Sequence, residues 1–271
     1  MRDAASLWEK LVAKKMRSLG FKQAMCTPCA FWHPVRDIRT TVRGDNFASL
    51  GARADLDWLE KELSKEGTVK VEGIFGPPGE PDCVHSICTL NRLLTWTAKG
   101  IEWESDPRHV QILLRELNVA ESGKSVTTPG VKEKPADADE DDVPLPVDEK
   151  RWYRSLRMRI AYLAQDRPDL GIATRELTKG MQVPTERHVG QLKRIARFLK
   201  SHPRLAQSFA NQERGMELNG WCDADHEGCL RTRKSTIGGL VMIGIHTLIH
   251  WCRNCYKLWR SRVLLVGHVD R

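Results

Sequence analysis

Leu218-Asn219-Gly220-Trp221-Cys222-Asp223-Ala224-Asp225-His226-Glu227-Gly228 is a short apolar run that delivers two carboxylates, Asp223 and Asp225, to its polar end. Arg231-Thr232-Arg233-Lys234-Ser235-Thr236 follows at once, and an apolar alternating segment runs from Gly239 to Trp251. This pattern predicts a strand presenting acids, a basic loop and a β-hairpin behind it. Carboxylates at a strand end suit a divalent-metal phosphodiester chemistry, because hard cations prefer oxygen ligands. The same residues also read as a polar turn between strands.

Cys222-Asp223-Ala224-Asp225, Thr232-Arg233-Lys234-Ser235-Thr236, Gly239 and His250-Trp251 together resemble the start of the RNase H domain of copia-type LTR retrotransposon Pol polyproteins. Ile237 stands where that family usually has a small polar residue. The resemblance implies that Asp223 is the first metal-binding carboxylate and Asp225 its catalytic neighbour. Arg233 and Lys234, in the basic loop, are candidate nucleic-acid-binding residues.

Composition sets wide bounds. At 271 residues the chain holds one large or two modest domains, and 41% apolar content is enough for a core. Lys and Arg number 43 against 35 acids, for a net charge of +8, which is compatible with nucleic acid without demanding it. Eight cysteines and a charged, amphipathic start from Met1 to Gly20 point to reduced thiols in an intracellular compartment, cytoplasmic or nuclear. The apolar stretch near Thr236–Trp251 is too short and too interrupted for a membrane span.

From the N-terminus, residues 6–19 predict a helix with Leu7, Leu11 and Ser18 on one side, Trp8, Val12 and Leu19 beside them, and Gly20 as its stop. A turn near Asp37 leads into a hairpin over Ile38–Leu50 with Arg43-Gly44-Asp45-Asn46 at the tip. Asp55 is a candidate N-cap for a helix through Leu56, Leu59 and Leu63. Val69–Gly76 reads as a strand, Cys83–Thr97 as two strands around Asn91-Arg92, and Arg108–Leu117 as a helix behind Asp106-Pro107.

Leu19-Gly20-Phe21, Thr27-Pro28-Cys29-Ala30-Phe31 and the hairpin tip resemble the palm of copia-type reverse transcriptases. The paired polymerase aspartates of that family then fall at Asp45 and Asn46. Asp45 becomes the catalytic and metal-binding carboxylate, while Asn46 brings one neutral oxygen and no charge. Two-metal transfer needs carboxylates holding cations about 3.5–4 Å apart. The family's further upstream aspartate has no counterpart after Met1, so template-directed synthesis by this chain alone is not expected. On its own, Arg43-Gly44-Asp45-Asn46 is also simply a hairpin turn.

Ala136-Asp137-Ala138-Asp139-Glu140-Asp141-Asp142, flanked by prolines, predicts a solvated flexible tether. Residues 148–201 predict helices: one capped by Asp148 with Tyr153, Leu156, Ile160 and Leu163, one over Leu170–Met181, and one from Pro184-Thr185-Glu186. In the last, Val189, Leu192, Ile195, Ala196 and Leu199 face one way and Lys193, Arg194, Arg197 and Lys200 the other. Tyr153-Arg154-Ser155, Arg167-Pro168-Asp169-Leu170 and Lys193-Arg194-Ile195-Ala196-Arg197-Phe198-Leu199-Lys200 resemble the connection region of the same family. That basic face either contacts phosphates or is simply solvated.

After Trp251 the resemblance stops. The tail has no glutamate and one acid, Asp270, where the family carries a further metal-binding glutamate. Cys26/Cys29 and Cys252/Cys255 are two Cys-x-x-Cys pairs, a zinc alternative weakened by their wide separation.

The fold expected is α+β: a partial reverse-transcriptase palm and thumb-like region (1–120), a flexible acidic linker (121–150), a helical connection (151–210), and an incomplete RNase H-like mixed sheet with a divergent basic tail (211–271). The resemblance implies a degenerate or truncated copy of an RNA-directed DNA polymerase and hybrid ribonuclease. Its cofactor would be Mg2+ or Mn2+ and its partners RNA, DNA or an RNA–DNA hybrid, with a deoxynucleoside triphosphate the one small molecule implied. The competing readings are a non-catalytic nucleic-acid-binding remnant and an unstable fragment.

Overall fold

The computed structural model describes residues 3–119, 124–131, 142–213, 217–225 and 235–255, the last five by their backbone alone. It divides into two compact units, Met1–Glu72 and Gly73–Arg271. The boundary lies within residues 1–120, the range expected for the partial palm and thumb-like region. The acidic tether falls almost wholly outside the described residues.

In the first unit, helix α1 (Ala4–Ser18) precedes strands β1 (Lys22–Gln23), β2 (Ala30–His33), β3 (Ile38–Arg43) and β4 (Asn46–Leu50), and helix α2 (Arg53–Ser64) follows them. The strands form an antiparallel sheet in chain order. The alternation predicted for the hairpin is present: Ile38, Thr40 and Val42 are buried while Arg39, Thr41 and Arg43 are exposed. Gly20 ends α1 with φ +92°; its N–H donates to Arg17 O (3.0 Å) and the Phe21 N–H to Met16 O (3.0 Å). This is the paired bonding of a Schellman cap, which needs a left-handed residue at that point.

Two expectations for this unit are corrected. The buried side of α1 is Val12, Ala13 and Met16, whereas Leu7 and Leu11 are 62% and 58% exposed. Small Ala13 lets the helix approach the core formed with Phe21, Phe31, Ile38, Val42 and Leu59. Asp55 does not cap α2, which starts two residues earlier. Its carboxylate instead accepts from Arg36 Nη1 at 2.6 Å, with that guanidinium 4.1 Å from the Trp58 ring centre.

The second unit opens with β5 (Ser86–Thr89), β6 (Arg92–Thr97) and β7 (Gly100–Ser105), followed by helix α3 (Arg108–Glu116). Helices α4 (Val147–Leu163), α5 (Gly171–Lys179) and α6 (Glu186–Ser201) come next, then β8 (Gln207–Ala210), β9 (Leu218–Asp225), β10 (Ser235–Ile243) and β11 (His246–Cys255). The strand expected over Val69–Gly76 is absent; only Phe75 makes a bridge, to Val84. Val69 and Val71 are exposed with no neighbouring strand, so β-branched residues alone do not make one. Asp148 sits in the first turn of α4 rather than at its cap, which is Pro146.

Strands β5 to β8 form one antiparallel sheet in that order, and β9 to β11 another, ordered β11-β10-β9. Both sheets are antiparallel throughout their described strands, where a mixed sheet was expected for the second. The core is helical. Val110 and Leu113 of α3, Tyr153, Leu156, Ile160 and Leu163 of α4, Leu177 of α5, and Leu192, Ile195, Phe198 and Leu199 of α6 bury one another. Burial of this kind contributes roughly 1.5–3 kcal/mol per large aliphatic side chain.

Candidate functional site

Asp45 follows Gly44 at the tip of the β3–β4 hairpin. Its carboxylate accepts from Asn46 Nδ2 at 3.3 Å, and Trp8 Nε1 ties the tip to α1 through Gly44 O at 2.6 Å. Asp223 and Asp225 are exposed on β9, opposite Gly238 and Thr236 of β10. Two residues apart on one strand, they share a sheet face. The Asp225 carboxylate accepts a hydrogen bond from the Thr236 N–H.

Asp45 therefore belongs to one unit and the Asp223/Asp225 pair to the other. Among the described residues, no three His, Cys, Asp or Glu side chains come together as a cation site. Asp225 has already committed one oxygen to Thr236. The described donors are thus fewer than a dedicated Mg2+ or Mn2+ centre uses. Glu227, Arg233, Lys234 and Asp270 lie outside the described residues. Cys26 is exposed and Cys29 half-buried, while the side chains of Cys252 and Cys255 are not described.

The basic helix α6 has a definite environment. Thr185 and His188 form a capping box at its start, with Thr185 N–H donating to His188 Nδ1 at 3.2 Å. Leu192, Ile195, Ala196, Phe198 and Leu199 are buried. The four cations do not act alike. Lys193 is exposed and Arg197 half-buried, and both line a groove of about 810 Å3 at the ends of α3 and α4. Arg194 instead donates to Thr128 Oγ1 at 2.9 Å, and Lys200 is engaged elsewhere. Glu116 and Leu117, Glu149 and Trp152, and Val189 complete most of the groove.

Behind α6, buried Arg167 links two segments. Its Nε and Nη2 donate to Asp169 (3.2 and 2.6 Å) and its Nη1 to His202 O (2.8 Å). The Arg167-Pro168-Asp169 motif, legible as a helix break, is thus a staple onto the end of α6. Asp166, which no motif singled out, is a second junction. It accepts from Arg92 Nε, Trp103 Nε1 (3.0 Å) and Ser105 Oγ (3.2 Å), and its backbone oxygen accepts from Gln207 Nε2 (2.9 Å).

The charged groups nearby are arranged in pairs. Hydrogen bonds from Arg108 hold the Asp106 carboxyl below its ordinary range. The Glu104 carboxylate raises Arg204 further, through contacts of 3.0 and 2.5 Å. Burial, then the Arg159 charge, pushes His109 down; Arg159 Nη1 donates to its Nδ1 at 3.1 Å. These pairs tie β7 to the segment before β8 and α3 to α4; Lys193 and Arg197 are the described cations lining the groove.

No protein-family model matches the chain, and no solved structure does. The retrovirus-related Pol polyproteins from transposons RE1 and RE2 of Arabidopsis thaliana are 35% and 34% identical to it over 96 residues. That stretch is 35% of this chain and 6% of each polyprotein's length. An uncharacterized mitochondrial protein of Arabidopsis thaliana is 29% identical over 99 residues, covering 36% of this chain and 40% of its own length. Over about a third of its length, the chain is thus a relative of the retrovirus-related Pol polyproteins of copia-type transposons.

Proposed function

We propose that this chain is a nucleic-acid-binding part of a retrotransposon Pol polyprotein, spanning the end of the reverse transcriptase, its helical connection and the start of the RNase H domain. The observation that carries this is the pair Lys193 and Arg197, one turn apart on α6 over an open groove, with the rest of the helix held by the core. Paired cations on a rigid element bind phosphates and release condensed counterions. The homology to Pol polyproteins supports RNA, DNA or their hybrid as the partner.

We read the chain as catalytically impaired for polymerisation, because Asn46 stands beside Asp45 where the resemblance calls for a second aspartate. The test is anisotropy of a labelled RNA–DNA hybrid against salt, for the wild type and for Lys193→Ala/Arg197→Ala. The expected outcome is salt-dependent binding whose log–log slope drops by about 2 in the double variant. Equal slopes would remove α6 from the interface.

A second reading, hybrid ribonuclease activity, is favoured by Asp223 and Asp225 sharing one face of β9. It is tested by release of labelled RNA from the hybrid with Mn2+, comparing the wild type with Asp223→Asn. Cleavage that depends on Asp223 supports it, and binding without cleavage leaves the binding reading alone.

A further inference from the structure

We propose that the groove between α3, α4 and α6 takes an unstacked base of a single-stranded nucleic acid, stacked on Trp152, with the adjoining phosphates on Lys193 and Arg197. This deepens the nucleic-acid reading above and rests on it.

Three observations carry the inference. First, the groove has the dimensions of a ligand cleft: about 810 Å3, within the roughly 300–1,000 Å3 range of small-molecule sites. Second, Trp152 and Val189 are half-buried and pack against the helical core while also lining the groove. The indole is therefore partly held by the core and partly open to the groove. A fixed aromatic platform is what single-strand binders use, because every base has a π-face.

Third, charge in the groove is sorted by element. Both cations come from α6, and both carboxylates, Glu116 and Glu149, come from the end of α3 and the start of α4. Carboxylates repel phosphate and accept hydrogen bonds from base N–H groups. The sugar-phosphate backbone accordingly follows α6, and the base edge turns toward the acids.

The arrangement separates single strands from duplexes. Phosphate contacts serve both, but a base stacked within a duplex is not free to lie on Trp152. Extraction of a paired base would cost a few kcal/mol, so the duplex binds through α6 alone.

The experiment is anisotropy of fluorescein-labelled single strands and of the matching duplex on the full chain, across a salt series. Trp152→Phe keeps a stacking ring, and Trp152→Leu keeps apolar volume without one; circular dichroism verifies that each is folded. The expected result is near wild-type single-strand binding for Trp152→Phe and a loss of roughly tenfold to a hundredfold for Trp152→Leu, with the salt slope and duplex binding unchanged. Equal behaviour of the two variants, or equal losses on single strand and duplex, overturns the base site and leaves the phosphate reading of α6 standing. No binding of either nucleic acid by the wild type overturns both.

Discussion

Arg92 on β6 and Asp166 after α4 meet with Nε 3.0 Å from both carboxylate oxygens, although they lie 74 positions apart in the chain. The Arg92 guanidinium also lies 5.7 Å from the Trp103 ring centre and 5.3 Å from that of Tyr162. One carboxylate therefore joins the β5–β8 sheet to the helices. Asp166→Ala would leave Trp103 and Ser105 without their acceptor, and Arg92 with only Leu90 O and Gln165, in a largely buried place. The expected cost is about 3–5 kcal/mol, read as a lower urea midpoint. Asp166→Asn, which keeps an acceptor oxygen, is expected to cost less. An unchanged midpoint in Asp166→Ala would refute the junction.

Tyr153 is fully buried and donates to Leu177 O at 2.7 Å, and burial raises its pKa to about 12. The folded chain thus holds the phenol proton more tightly than the unfolded chain, whose phenol titrates near 10. The stability this contributes is intact below pH 10 and is lost as pH rises from about 10 to about 12. A shift of about two units corresponds to roughly 2–3 kcal/mol. Tyr153→Phe is expected to lose about 1 kcal/mol at neutral pH and to flatten the alkaline fall in melting temperature. The same alkaline fall in the variant would place its cause elsewhere.

His109 carries the opposite pH dependence. Its pKa lies below the ordinary value, first through burial and then through Arg159, with Asp106 opposing and Arg108 adding to the effect. The unfolded chain therefore takes up the proton first, and stability falls as pH drops below about 6.5. His109→Gln, which does not titrate, is expected to have a shallower loss of melting temperature between about pH 7 and 5. Parallel curves for the two proteins would contradict this.

Leu90 and Asn91 join β5 to β6 with φ of 49° and 59°. Two left-handed residues in succession mark a type I′ turn, which favours Asn or Gly at its first position over a bulky side chain. Leu90 is 43% exposed, so little burial is at stake. Leu90→Asn is expected to gain about 0.5–1 kcal/mol in thermal unfolding. The carbonyls of Leu90 and Asn91, which accept from the Tyr162 hydroxyl at 3.0 and 3.1 Å, remain in place. A destabilised variant would mean that the Leu90 side chain packs more than its exposure suggests.

Much of this architecture is readable wherever the signal is local. The β3–β4 hairpin announces itself by alternation and a Gly-Asp turn, and α4 to α6 by apolar residues three and four apart. The mistaken strand at Val69–Gly76 shows the limit: β-branched residues do not supply the neighbour a strand needs. Pairing of β7 with β8 left no trace in either segment, because register between distant strands is set by tertiary contact. On α6, helical period singled out four cations together. Only the groove separates Lys193 and Arg197 from Arg194, which is held by Thr128, and from Lys200. Trp152 joins them from another helix, a juxtaposition that no single stretch of sequence encodes.

The pairing of Gly100–Trp103 with Gln207–Ala210 also fixes an order of events during synthesis. Until Gln207 has left the ribosome, β7 presents an unpaired edge while α3 to α6 are already available to pack. A ribosome that stalls before that codon would release a chain with an open strand, the kind of edge that recruits other chains. Pairing of β7 must then wait for a contact between distant segments, which slows folding relative to a helical bundle of the same length. The last strand of this sheet thus moves the open edge from β7 to β8, and does so late in synthesis.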